Sequence, residues 1–128
     1  MELLNWRRGK SYTNHWDAET GMRRFGMVIG VHPDKLDEYK RLHAQPWPGV
    51  LAALRAHGIA NYSIFHSGGL LFGYFEYHGD DFDADMAAVA ADPVTQQWWA
   101  LTDPCQRRLP TAADGQWWTD MEQVFLME

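Results

Sequence analysis

The sequence predicts an α+β domain of the ferredoxin-like kind, an antiparallel four-stranded sheet with its helices packed on one face. Three observations carry this. Short runs of alternating or continuous apolar residues, "FGMVIGV", "IANYSIFH", "LLFGYFEY" and "WWTDMEQVFLM", read as strands. Segments of helical period lie between them, each opened by a proline or a capping aspartate. Taken in order, the elements spell β-α-β-β-α-β, two split βαβ units.

The first strand is "FGMVIGV", followed by "HPDKLDEYKRL", where Pro33 and Asp34 open a helix and acidic residues occupy its first turn, as the helix dipole favours. Leu36, Tyr39, Leu42 and His43 recur at helical spacing. Pro46 and Pro48 then interrupt, because each lacks an N–H and restricts the residue before it. "GVLAALRAHG" resumes the helix and ends it at Gly58. The next two strands are joined through "SGG", a hairpin connection. "DDFDADMAAVAAD" is a helix with Phe82, Met86 and Val89 on one stripe, and Asp92 and Pro93 start another over "DPVTQQWWALTD". A loop with Pro104, Pro110 and Gly115 leads to the last strand, beginning at Trp117 and Trp118, which are expected in the core or on a dimer surface. In "LLFGYFEY" both alternating sets are largely apolar, so both faces should be buried, although helices can cover only one. The expected cover for the open face is a second copy of the chain, or a lid carrying ligand.

Composition narrows the function classes. The chain has 128 residues, 46% of them hydrophobic, enough for one compact core. A net charge of −6 without any basic block argues against nucleic acid and against an anionic membrane as partners. Cys105 is the single cysteine, so no intrachain disulfide can form, and no apolar run has secretory or transmembrane length. A reducing cytoplasm is the expected compartment. Seven Trp, five Tyr and six Phe are many for this length, and flat rings serve cores, dimer faces and sugar pockets alike. Residues 1–22 show no periodicity and read as an extension, either a loosely docked arm or sequence ahead of a start at Met22; residues 23–128 form the domain.

Tyr39 and His43 stand on successive turns, about 40° apart around the axis, so both side chains leave one stripe and can reach a common ligand. Leu36 shares the stripe, which therefore points inward. On spacing alone, a core histidine satisfied by a hydrogen bond beside a packing tyrosine is the simpler reading. The prolines after His43 bend the chain away and can open a cleft above a group that titrates near neutrality. In "QQWWA", Trp98 sharing a stripe with Val94 and Leu101 would pack in the core while Trp99 walls a pocket, although packing explains a WW pair as well. The six histidines include no i,i+4 pair and nothing with metal-ligand spacing, so no metal and no cofactor are expected. "HSGG" joins two strands and is a turn, not a phosphate loop, and the "DDFDAD" aspartates read as a solvated helix start. Cys105 would need a neighbouring histidine to act as a nucleophile.

The run "HPDKLDEYKRLHAQPWPGVLAALRAHGIANYSIF", then "LLFGYFEY", "QQWWA" and the closing "MEQVFLM", resembles the L-rhamnose mutarotase family, which includes members acting on L-fucose. The resemblance covers the chain from about Arg23 onward. It implies a dimeric α/β barrel, a homodimer without metal or cofactor, that interconverts the α and β anomers of a 6-deoxy-L-sugar. It also implies the site: His43 as catalytic acid/base, Tyr39 as its catalytic and substrate-contacting partner, and Tyr62, Trp98 and Trp99 as substrate-binding rings.

The match has departures. Family members commonly read H-N-x-x-W-P-E, whereas Ala44 follows His43 and Gly49 follows Pro48, and after Trp99 a segment "TDPCQRRLPTAADGQ" replaces the usual one. That loop can touch ligand, which keeps L-fucose open as substrate. Two further readings share the fold: a cofactorless monooxygenase of the dimeric α/β barrel type, and a non-catalytic small-molecule binding module.

Overall fold

Strand β2 (Met22–Val31) runs through the middle of the sheet because Phe25, Met27, Ile29 and Val31 present an apolar row, all buried. In the computed structural model, which describes residues 15–17 and 21–128, one edge of β2 pairs with β4 (Leu70–Tyr77), and β4 pairs with β3 (Ile59–Ser67). Three short strands share the other edge: β1 (His15–Asp17), β6 (Thr119–Met121) and β5 (Gln106–Arg107). Every pairing is antiparallel. The order β6-β2-β4-β3 is the one that two split βαβ units generate.

Helices α1 (Leu36–Ala44), α2 (Pro48–Ala56), α3 (Phe82–Ala91) and α4 (Pro93–Thr102) supply the second layer. Tyr39, Met86 and Val89 join Phe25, Ile29, Leu71 and Phe75 in one apolar cluster. Pro33 opens a 3-10 turn, Pro33–Lys35, and α1 proper begins at Leu36. The Asp81 carboxylate accepts from the Ala84 N–H at the start of α3, and that of Asp92 accepts from both the N–H and the hydroxyl of Thr95 at 2.8 Å. Gly68 and Gly69 make the hairpin, both with positive φ, a conformation side-chain-bearing residues resist. Gly49 sits where an added Cβ would lie 3.1 Å from a Val94 methyl, so its lack of a side chain lets α2 close against α4.

Residues Asn61 and Tyr62 together oppose Phe75, since the β3–β4 register shifts between Ala60 and Ser63. This is a bulge, with Asn61 in the left-handed region at φ 51°. It turns the Tyr62 ring onto Phe75, centroids 5.5 Å apart.

One expectation needs revision. The last strand does not run from Trp117 to Met127: it is confined to Thr119–Met121, and Val124 beyond it is 85% exposed. The cause is occupancy of the edge. Met121 pairs with Gly26, so continuation would carry the tail past Arg24 and Arg23, where His15 and Trp16 already pair. The three-residue β1 was not signalled by periodicity; the rest of the 1–22 extension, apart from Gly21 and Met22, lies outside the described residues. In β4, Leu71, Phe75 and Tyr77 are buried under the helices, while Leu70, Phe72 and Tyr74 remain half-buried in the single chain. Phe65, paired with Phe72, is 66% exposed.

Loss of the α4 cap should cost about 1 kcal/mol, the usual value for a capping carboxylate. Asp92→Ala is therefore expected to lower the urea midpoint without changing the slope of unfolding; an unchanged midpoint contradicts the assignment.

Candidate active site

Between the sheet and helices α1, α2 and α4 lies a cavity of about 730 Å³, within the range of small-molecule sites. Its floor is built by α1. Tyr39 and His43, one turn apart, stack with ring centroids 4.1 Å apart and planes 30° from parallel. Tyr39 is 4% exposed, so its hydroxyl reaches only the cavity and the protein. The chain breaks after Ala44, Pro46 lines the opening, and Trp47 packs edge-on against Trp98 at 5.4 Å.

His43 Nδ1 lies 2.8 Å from the backbone carbonyl oxygen of Tyr39. A carbonyl only accepts, so Nδ1 must carry the hydrogen. Burial pushes the imidazole pKa below its ordinary value, with the Tyr39 hydrogen bond opposing in part, so the neutral ring prevails at neutral pH. Nε2 then carries a lone pair, and among the described residues no hydrogen bond occupies it. Trp98 meets the same ring edge-on at 5.2 Å.

All five residues singled out from the sequence, Tyr39, His43, Tyr62, Trp98 and Trp99, line this cavity. Trp98 is buried, 6% exposed, but shares its face of α4 with residues other than those expected. Its buried stripe on α4 is Thr95 and Thr102, while Val94 and Leu101 face outward, because Thr95 is drawn in by the Asp92 cap. Trp99 is partly buried and also reaches the cavity. Tyr62 keeps 36% of its surface exposed at the rim, and burial holds its hydroxyl above the ordinary phenol range.

Among the lining residues that the sequence did not mark as part of a site are Asp103, Gln106 and Trp117. Gln106 Nε2 donates to Tyr39 Oη at 3.2 Å, and Trp117 Nε1 donates to Gln106 Oε1 at 2.7 Å. The residues bonded to each other, Tyr39 and Gln106, are 67 positions apart in the chain. Their only sequence signal was the replaced segment after Trp99. Burial raises the Asp103 carboxyl to about 6. Cys105 is fully buried, its thiol raised by burial and set against the Leu101 carbonyl, a poor setting for a nucleophile. Among the described residues no group of three or more His, Cys, Asp or Glu is arranged to hold a metal, and no helix is long and apolar enough to cross a membrane.

The family model for L-rhamnose mutarotase matches residues 24–127. The chain belongs to that family. An L-rhamnose mutarotase from Oceanobacillus iheyensis is 36% identical over 109 residues, 84% of this chain and 100% of its own length. An L-fucose mutarotase from Xanthomonas campestris is also 36% identical, over 112 residues, 83% of this chain and 89% of its own. Among solved structures, the L-rhamnose mutarotase of Formosa agariphila superposes with a TM-score of 0.65 at 25% identity, covering 83% of this chain and 99% of that one. A Nitrosomonas europaea protein described as an antibiotic biosynthesis monooxygenase superposes with a TM-score of 0.54 at 14% identity, a likeness of fold alone.

Two titrations at the cavity act on stability with stated signs. Asp103 is raised in the fold from 3.8 to about 6, so the native state loses stability as pH rises across that interval. His43, lowered from 6.5, withdraws stability as pH falls below 6.5, where the unfolded chain binds protons first. Asp103→Asn removes the first loss. Its melting temperature should exceed that of the wild type by about 3 °C at pH 7, after allowance for solvent screening, and the difference should vanish below about pH 4. An equal melting temperature at pH 7 contradicts the burial of that carboxyl.

Proposed function

We propose that the chain is an aldose mutarotase that interconverts the α and β anomers of a 6-deoxy-L-sugar, with L-rhamnose as substrate and L-fucose as the second candidate. The observation that carries this reading is the bare Nε2 of His43 beside an aromatic-walled cavity. Membership of the L-rhamnose mutarotase family supports it.

The chemistry asks little of the protein. His43 Nε2 takes the proton of the anomeric hydroxyl, the C1–O5 bond breaks with its electron pair passing to O5, and O5 takes a proton from a donor across the ring. The product is the open aldehyde, which turns about C1–C2 and recloses on either face. Each proton then returns along the same route. Trp98 and Trp99 offer indole faces to the C–H-rich side of the pyranose and its methyl group, and Tyr62 closes the rim. No step draws on a metal or cofactor. The L-fucose alternative is favoured by the 36% identity to an L-fucose mutarotase and by the replaced loop, whose Gln106 and Asp103 border the cavity.

The working form in this reading is a homodimer. The half-buried Val28, Phe72 and Tyr74, the exposed Phe65 and the apolar tail around Phe125 leave more hydrocarbon in water than a monomer tolerates. A second copy packed on this face would complete a dimeric α/β barrel. Residues 23–128 are the functional domain and 1–22 an extension to it. A reducing, cytoplasmic setting suits the lone buried thiol of Cys105, and neither nucleic acid nor membrane is needed.

Saturation-transfer NMR on L-rhamnose and L-fucose tests the activity. Accelerated anomer exchange is expected, falling by about 10²–10⁴-fold in a folded His43→Ala variant. Full activity in that variant removes His43 from the mechanism; tight binding without exchange favours a binding module, and oxygen uptake with an aromatic substrate favours the monooxygenase reading. Light scattering should give twice the chain mass for the wild type, with dissociation on Phe65→Asp; a monomeric wild type contradicts the dimer.

A further inference from the structure

The hydrogen bonds behind Tyr39 run in one direction only. The indole N–H of Trp117 can donate and never accept, so the amide atom of Gln106 that meets it at 2.7 Å must be the oxygen. The other end of that amide, facing Tyr39 Oη at 3.2 Å, must then be the NH₂, again a donor. Tyr39 Oη is thereby made an acceptor from behind, and its own hydrogen has no acceptor on that side. Gln106 is 6% exposed, so water cannot readily substitute for either partner. Tyr39 is 4% exposed, and the free side of its hydroxyl is the cavity it lines.

From this geometry we infer that Gln106 and Trp117 are positioning residues that orient the Tyr39 hydroxyl hydrogen into the cavity, making Tyr39 the proton donor to the sugar ring oxygen opposite the base His43. This rests on the mutarotase reading and assigns the second proton of that reaction. On ring opening, the proton of O1–H passes to His43 Nε2, the C1–O5 pair moves to O5, and O5 takes the Tyr39 proton. The phenolate left behind is held by the Gln106 N–H. On closure O5 returns its proton to Tyr39 as it attacks C1, and O1 recovers a proton from His43. Burial raises the Tyr39 phenol well above its ordinary value, with Tyr62, Cys105 and Asp103 adding to the rise, and the Gln106 hydrogen bond is the one contact that opposes it.

The decisive variant is Gln106→Glu. Ionised, the new carboxylate accepts from both Trp117 and Tyr39, and it draws the tyrosine hydrogen away from the cavity. Protonated, its hydroxyl donates to Tyr39 Oη and restores the original sense. The rate of L-rhamnose anomer exchange relative to wild type should thus be down about 100-fold where the carboxyl is ionised and recover as pH falls through its titration. The Tyr39 ¹³Cζ resonance should move through the same titration. Gln106→Leu, which cannot reverse the sense, should give a ratio independent of pH, and Trp117→Phe, which unlocks the amide, should lower the rate by about tenfold. The inference is overturned if the Gln106→Glu ratio is flat with pH or the tyrosine resonance does not respond. Should that variant fail to fold, an unchanged rate in Trp117→Phe overturns it. A wild type that does not accelerate exchange sinks the mutarotase reading instead, and the resonance still decides the sense of the hydrogen bonds.

Discussion

The contact between His43 Nδ1 and the Tyr39 carbonyl determines what the cavity can do. It uses the one ring nitrogen that faces the helix backbone, and so decides by elimination which nitrogen holds a lone pair. The same contact brings the imidazole flat against the Tyr39 ring, 4.1 Å away, and sets base and phenol side by side on one stripe. Were the ring turned over, Nε2 would spend its capacity on the backbone and the cavity would face an N–H, which cannot take a proton. The rest of the site answers to this arrangement: Trp98 closes the ring edge-on and the break at Pro46 opens the space above it.

A fold with one helical layer against an apolar sheet would ordinarily fill that space. It stays open because helices α1, α2 and α4 are arranged around it. The missing side chain at Gly49 lets α2 lean on Val94 of α4, and the Asp92 cap turns Thr95 inward, which swings Trp98 and Trp99 onto the cavity wall. The walls are mostly aromatic and aliphatic, and the polar side chains that border the cavity include His43, Tyr39, Tyr62, Gln106 and Asp103, with Lys40, His66, Thr95 and Thr102 beside them. That balance suits a small neutral ligand with one hydroxyl-rich side and one methyl-bearing side.

Much of this was legible in the chain because it is local. Helix starts follow from Asp81, Asp92 and the prolines, the hairpin from its glycines, and the Tyr39–His43 pairing from the pitch of a helix. What stayed hidden is tertiary. The last strand looked long by its own residues, and only the occupancy of the β2 edge by His15–Asp17 cuts it short. The bulge that turns Tyr62 inward depends on a register between two strands. Gln106 and Trp117 sit in a segment without periodicity, and their partner lies on α1, so no window of sequence contains the interaction. The Trp98 stripe was misread: Thr95 and Thr102, not Val94 and Leu101, share its buried face.

The most direct test of this account is the tautomer of His43 at neutral pH, read from long-range ¹H–¹⁵N correlations of the imidazole in the uniformly labelled protein. His43 is expected as a neutral ring with hydrogen on Nδ1 and a bare Nε2. A spectrum showing hydrogen on Nε2, or an imidazolium at neutral pH, would contradict it.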